Sequence, residues 1–90
     1  MSQAIVDPIE LRRFAQNLKQ FNEELEQRMS SLSAQLETLG ATWRDQEYKR
    51  FAEEFAEQAK AVGRYIDVTS HYAPFLLRKA ERIEEYLQQR

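Results

Sequence analysis

The run LGATWRDQEYKRFAEEF, Leu39 to Phe55, decides the fold. Gly40 stands where a long apolar repeat stops and can take the left-handed backbone that closes a helix, and Thr42 with Asp45 offers a capping pair for the next one. Only a few residues separate the two helical signals, which leaves room for nothing but a reversal between antiparallel helices. Beyond it Tyr48, Phe51 and Phe55 recur at helical spacing on one face, while Asp45 with Lys49 and Arg50 with Glu54 are neighbours one turn apart on the wet side.

Working back from the turn, the large apolar residues are Leu39, Leu36, Leu32, Met29, Leu25, Phe21, Leu18, Phe14 and Leu11. They step by three or four and average 3.5 residues, the period of a seam laid along a neighbouring helix. The residues between them are mostly Gln, Asn, Glu, Arg and Ser, so the stripe reads as narrow and the helix as packing on one side only. Its start is sharp: Asp7 can cap the first turn, Pro8 suits the first helical position, and Glu10 follows at the third. Helix one is therefore expected over about 8–39, roughly 48 Å at ~1.5 Å per residue.

Working forward, a second stripe runs through Tyr48, Phe51, Phe55, Ala59, Val62, Ile66, Thr69, Ala73, Leu76, Ala80, Ile83 and Leu87, with Tyr65 and Tyr72 widening one flank. Its register crosses Pro74, where the missing amide and the crowded Ser70 carbonyl demand either a kink or a break followed by a short third helix. A helix over about 45–89 is longer than its partner, so Phe75 to Leu87 are expected to project past the start of helix one. The expected fold is all-α, one domain over 1–90. It is a helix-turn-helix hairpin of two long antiparallel helices with a turn at 40–44, the second helix kinked or broken near Pro74. Two helices cannot enclose a core, so the hairpin is expected to dimerise into a four-helix bundle that covers stripe with stripe.

Composition agrees and narrows the function classes. The chain has 42% hydrophobic and 31% charged residues with two Gly and two Pro, a helical rather than loop-rich balance. A net charge of -2 with no cationic run argues against nucleic acid as a partner. The polar faces mix Glu, Arg and Gln and no stretch approaches ~20 apolar residues, which argues against stable membrane insertion. The first residues lack the basic and apolar runs of a cleavable leader, so the expected location is outside the cell by another route, or the cytoplasm.

No catalytic, cofactor or metal site is signalled. Cysteine is absent, His71 is the single histidine, and the acidic neighbours Glu53 with Glu54 and Glu84 with Glu85 diverge around a helix instead of converging. Trp43, the only tryptophan, has two compatible readings: a plug over the open end of the bundle, or an anchor for a partner at the turn.

The stretch LGATWRDQEYKRFAEEF near midchain, with the opening VDPIELRRFAQNL, resembles the WXG100 family of small secreted proteins, the ESAT-6-like proteins. The resemblance covers about residues 4–70. It implies hairpins that pair antiparallel into four-helix bundles and act without catalysis as effectors, adaptors or co-secretion partners of type VII secretion. It also gives Trp43, beside Gly40 and Asp45, a recognition role near the bundle end. Two departures stand out: Asp45 replaces the family glycine two residues after the tryptophan, and no Tyr-x-x-x-Asp/Glu export signal follows helix two.

The sequence reading is thus a protein-protein interaction module, a homodimer or a heterodimer with a related hairpin. Secretion machinery or a toxin would be its further partner. The alternatives are a subunit that polymerises through its hairpin as type III needle proteins do, and a cytoplasmic coiled-coil scaffold.

Overall fold

Asp7 opens the first helix as its side chain predicts, accepting a hydrogen bond from the Ile9 amide at 2.9 Å with Pro8 at the first helical position. In the computed structural model, which describes residues 6–89, three helices follow: α1 Pro8–Leu39, α2 Gln46–Ser70 and α3 Tyr72–Gln88. α1 runs out along one side of a hairpin and α2 with α3 return along the other. The described residues contain no strand.

The turn keeps the α1 carbonyls occupied. The Gly40 amide donates to Leu36 and Glu37, Ala41 to Thr38, and Thr42 and Trp43 to Leu39, at 2.9 to 3.1 Å. Two expectations are corrected here. Gly40 has φ -63 and ψ -17, a right-handed residue, so its left-handed freedom is not what the turn uses. Thr42 does not cap α2, because its hydroxyl donates back to the Leu39 carbonyl at 3.3 Å; Asp45 alone caps, accepting the Tyr48 amide at 3.1 Å.

The return arm bends at His71, the single residue between α2 and α3. Pro74 falls in the first turn of α3, where its missing amide has no helical partner to lose. The last turn of α2 is tied down by its own side chains. Thr69 Oγ1 donates to the Tyr65 carbonyl at 2.7 Å, Ser70 Oγ to that of Ile66, and His71 Nδ1 bonds that of Asp67 at 2.7 Å. The His71 amide turns instead to Val68 at 3.3 Å, the tighter pattern of a closing helix. Such back-bonding competes with the helical ladder and bends helices, so the bend is written into Thr69, Ser70 and His71 as well as Pro74.

Much of the segment expected to overhang is covered: α3 packs chiefly against the first half of α1, with Arg12 and Glu84 paired across the two. The most buried side chains are small: Ala15 on α1 and Ala73 and Ala80 on α3, with Asn22 beside them. Alanines let helix axes approach closely, so Ala15, Ala73 and Ala80 mark where α3 seats on α1. The two i to i+4 pairs expected at the start of α2 do not form ion pairs. Besides Arg12 with Glu84, the described residues show only Glu57 with Lys60, at 3.4 Å.

Candidate functional site

A two-helix layer has two broad faces, and the stripe residues show which one is unfinished. Leu11, Leu18, Leu25, Met29 and Leu36 of α1 are half-buried between the arms, as are Tyr48, Phe55, Val62, Ile66, Leu76 and Ile83 of the return arm. Phe14, Phe21, Leu32, Leu39, Phe51 and Leu87 are exposed. The α1 stripe is therefore not narrow. It has an inner row that also takes in Ala15 and Asn22, and an outer row turned by part of a helical step to one side.

At ~100° per residue the outer row of α1 and the exposed flank of the return arm, Phe51, Tyr65, Tyr72 and Leu87, open onto the same face of the layer. Leu32, Leu36 and Leu39 meet Phe51 and Phe55 there in a shared groove of about 340 Å³. Phe51 as a core residue is thus corrected for the single chain: 46% of it is exposed, and only Phe55 lies partly under cover.

At the turn end the face is capped by an aromatic row. Trp43 is half-buried, its ring 5.4 Å from Tyr48 in an edge-on arrangement and 6.1 Å from Phe51, which stands 6.4 Å from Phe55. The Tyr48 hydroxyl donates to the Leu36 carbonyl at 2.8 Å, pinning the ring across the end of α1. This ring is also why position 40 is glycine: a Cβ there would lie 2.6 Å from Tyr48 Oη. Trp43 therefore closes the hairpin end and borders the exposed aromatics.

The extent of the unfinished face can be judged from the whole chain. Its radius of gyration is 20.1 Å, against ~12 Å for a compact chain of this length, and it measures 68 × 25 × 14 Å, one helix thick in its shortest direction. Its accessible surface is 7718 Å², whereas a compact folded chain of 10.7 kDa exposes about 5,500 Å². Among the described residues no helix is long and apolar enough to cross a membrane, and no group of three or more potential metal ligands gathers.

The chain is thus an antiparallel hairpin with a tryptophan in its turn and aromatics opening the return helix. The profile described as WXG100, proteins of 100 residues with WXG, matches residues 3–88. The chain belongs to the WXG100 family. Among solved structures it is similar to a glycine-to-alanine mutant of the secreted protein EsxB from Bacillus anthracis str. Sterne. The TM-score is 0.75 and the sequence identity 25%, over 93% of this chain and 97% of that one. No curated protein matches it in sequence.

In this WXG100 protein the tripeptide of the family name reads Trp43, Arg44, Asp45. Position 45 has φ -107 and ψ -177, extended backbone open to any residue, and there the aspartate gains a use that glycine lacks by capping α2. The departure from glycine thus leaves the turn intact.

Proposed function

We propose that this WXG100 protein is a non-enzymatic secreted interaction module of a type VII-like secretion system. It would pair through its broad apolar face with a second hairpin to form a four-helix bundle. The observation that carries the reading is the unfinished face itself. The excess exposure of about 2,200 Å² is more than the ~800 Å² that each partner loses in an interface of standard size. Phe14, Phe21, Leu32, Leu39 and Phe51 would then exchange water for a partner's side chains, at ~25 cal/mol per Å² of apolar surface.

Paired with a related hairpin, the protein would act as a co-secretion partner or adaptor. The Trp43 end of the bundle would face the secretion machinery or a toxin. Sedimentation equilibrium across roughly two decades of concentration tests the pairing. The expected result is a two-chain species that Phe51→Glu dissociates while the helical hairpin persists, because position 51 is half-exposed in the single chain. A wild-type monomer at every concentration would overturn homodimerisation and leave the heterodimer to be tested by co-expression with a neighbouring hairpin gene. A mass that climbs past two chains would favour a polymerising subunit.

A further inference from the structure

The outer edge of the return arm, the side turned away from α1, differs from the other edges of the hairpin. At ~100° per residue Arg64, Val68, Phe75, Lys79, Arg82 and Tyr86 fall within about 60° of one another, nearly opposite the inward-facing Val62, Ile66, Ala73 and Ala80. The backbone of His71 is itself right-handed, φ -77 and ψ -18, so the row carries across the bend. All six residues are exposed, with Val68 at 54%, Phe75 at 52% and Tyr86 at 69%. Elsewhere the outward rows are polar: Arg13, Gln20, Gln27 and Ser31 on α1, and Arg50, Glu53, Glu57 and Lys60 earlier on α2.

From Arg64 onward the arm therefore carries apolar side chains on two sides, the pattern of a helix that packs between neighbours. A lone exposed apolar residue is ordinary, but three recurring along one outward row that is otherwise cationic form a patch. The charges in the row are of one sign. Among the described residues none of Arg64, Lys79 and Arg82 is in an ion pair, and the nearest carboxylates, Asp67 and Glu85, lie about 80° round toward the back of the arm. Pairing through the broad apolar face leaves this row accessible, because Phe75 and Arg82 point away from α1 and not along that face.

We propose that this edge docks one amphipathic helix of a partner protein, its apolar seam lying on Val68, Phe75 and Tyr86 and its flanking carboxylates meeting Arg64, Lys79 and Arg82. The inference goes beyond the pairing of two hairpins and does not depend on it. Charge complementarity selects the occupant: a second copy brought onto the same edge by a two-fold axis would set one basic row against another, whereas an acidic helix neutralises the row. The row is ~33 Å long, and a helix ~10 Å across covers it without reaching Asp67 or Glu85. A nucleic-acid duplex is broader and would meet those carboxylates, on a chain whose net charge is already -2.

The test titrates two helical peptides of about three heptads into the ¹⁵N-labelled full chain, alike in an alanine and leucine seam and flanked by glutamate in one and lysine in the other. The glutamate peptide should shift the amides of Val68, Phe75 and Arg82 ahead of those of Phe21 and Phe51. It should bind about tenfold more tightly than its lysine twin, roughly twofold for each of three exposed charge pairs. Reversing Arg64, Lys79 and Arg82 together to glutamate should invert that preference, and Phe75→Ser should weaken the glutamate peptide severalfold, both with helical content retained because every changed residue is exposed. Equal binding of the twins, no binding of either, a preference that survives the reversal, shifts centred on Phe21 and Phe51, or indifference to Phe75→Ser would each overturn the site. Tighter binding of a DNA duplex or of phosphatidylglycerol vesicles at the same amides would overturn the helical occupant. Phe51→Glu should bind the glutamate peptide as the wild type does, so failure of the pairing and failure of this edge are read separately.

Discussion

Replacing Gly40 with alanine should destabilise the protein in one background and stabilise it in another, and the sign change follows from a single contact. A Cβ at position 40 would sit 2.6 Å from Tyr48 Oη, 2.7 Å from Cζ and 3.0 Å from Cε2. The ring is not free to step aside, because its hydroxyl holds the Leu36 carbonyl at 2.8 Å and it packs edge-on with Trp43, centroids 5.4 Å apart. Displacing it forfeits a hydrogen bond of ~0.5–1.5 kcal/mol and an aromatic pair of similar worth, together about 1–3 kcal/mol. Against this, alanine in right-handed backbone gains ~0.4–1 kcal/mol by restricting the unfolded chain. Gly40→Ala alone should therefore cost up to about 2.5 kcal/mol, whereas in a Tyr48→Ala background the same change should stabilise by ~0.4–1 kcal/mol. Urea melts of the four proteins at one shared concentration measure the cycle, the fixed concentration holding any association term constant. If Gly40→Ala stabilises equally in both backgrounds, the ring does not occupy the end of α1 and the account of this glycine fails.

Asp45→Ala should lower stability by ~0.5–2 kcal/mol and Asp45→Gly by only a few tenths; indistinguishable melts for all three would mean that the carboxylate does not cap α2. Pro74→Ala should change stability by less than ~1 kcal/mol, because the first turn of α3 needs no amide there and Thr69, Ser70 and His71 hold the bend. A gain near ~3 kcal/mol would show that proline alone interrupts a helix otherwise continuous. Arg12→Ala should cost no more than ~1 kcal/mol, with the loss shrinking as salt is raised, since both partners are only half-buried. A larger, salt-independent loss in the same melts would assign the contact to packing of the arginine stem.

The parts of the fold legible from sequence are those governed by neighbours in the chain. Asp7 and Pro8 start α1 and the run to Leu39 ends it because caps and helical spacing act within a turn or two. Gly40 was equally visible as a stop, but the reason for it lies eight residues on, in the ring of Tyr48, and no local rule reaches that far. Asp45 looked like a loss of the family glycine, although its own side chain chemistry, an aspartate one residue ahead of a helix, is a capping signal in plain sight. Pro74 announced an irregularity, and its position was displaced to His71 by three side chains whose bonding to their own helix is not encoded in spacing.

The missed half of the site follows from counting only large apolar residues. On α1 the row that faces the return arm is Leu11, Ala15, Leu18, Asn22, Leu25, Met29 and Leu36. Skipping Ala15 and Asn22 substitutes Phe14 and Phe21 and makes two edges look like one narrow stripe. A small residue in an inner row is the better sign of close approach, because a helix can sit down only where nothing bulky intervenes; Ala15, Ala73 and Ala80 are where α3 meets α1. The phenylalanines displaced from that row are too large for the close seam and too exposed for a finished surface, and both facts have one resolution. Filling the inner row with alanine and asparagine draws the arms together and turns the rings outward onto a single face, the one proposed to meet a second hairpin.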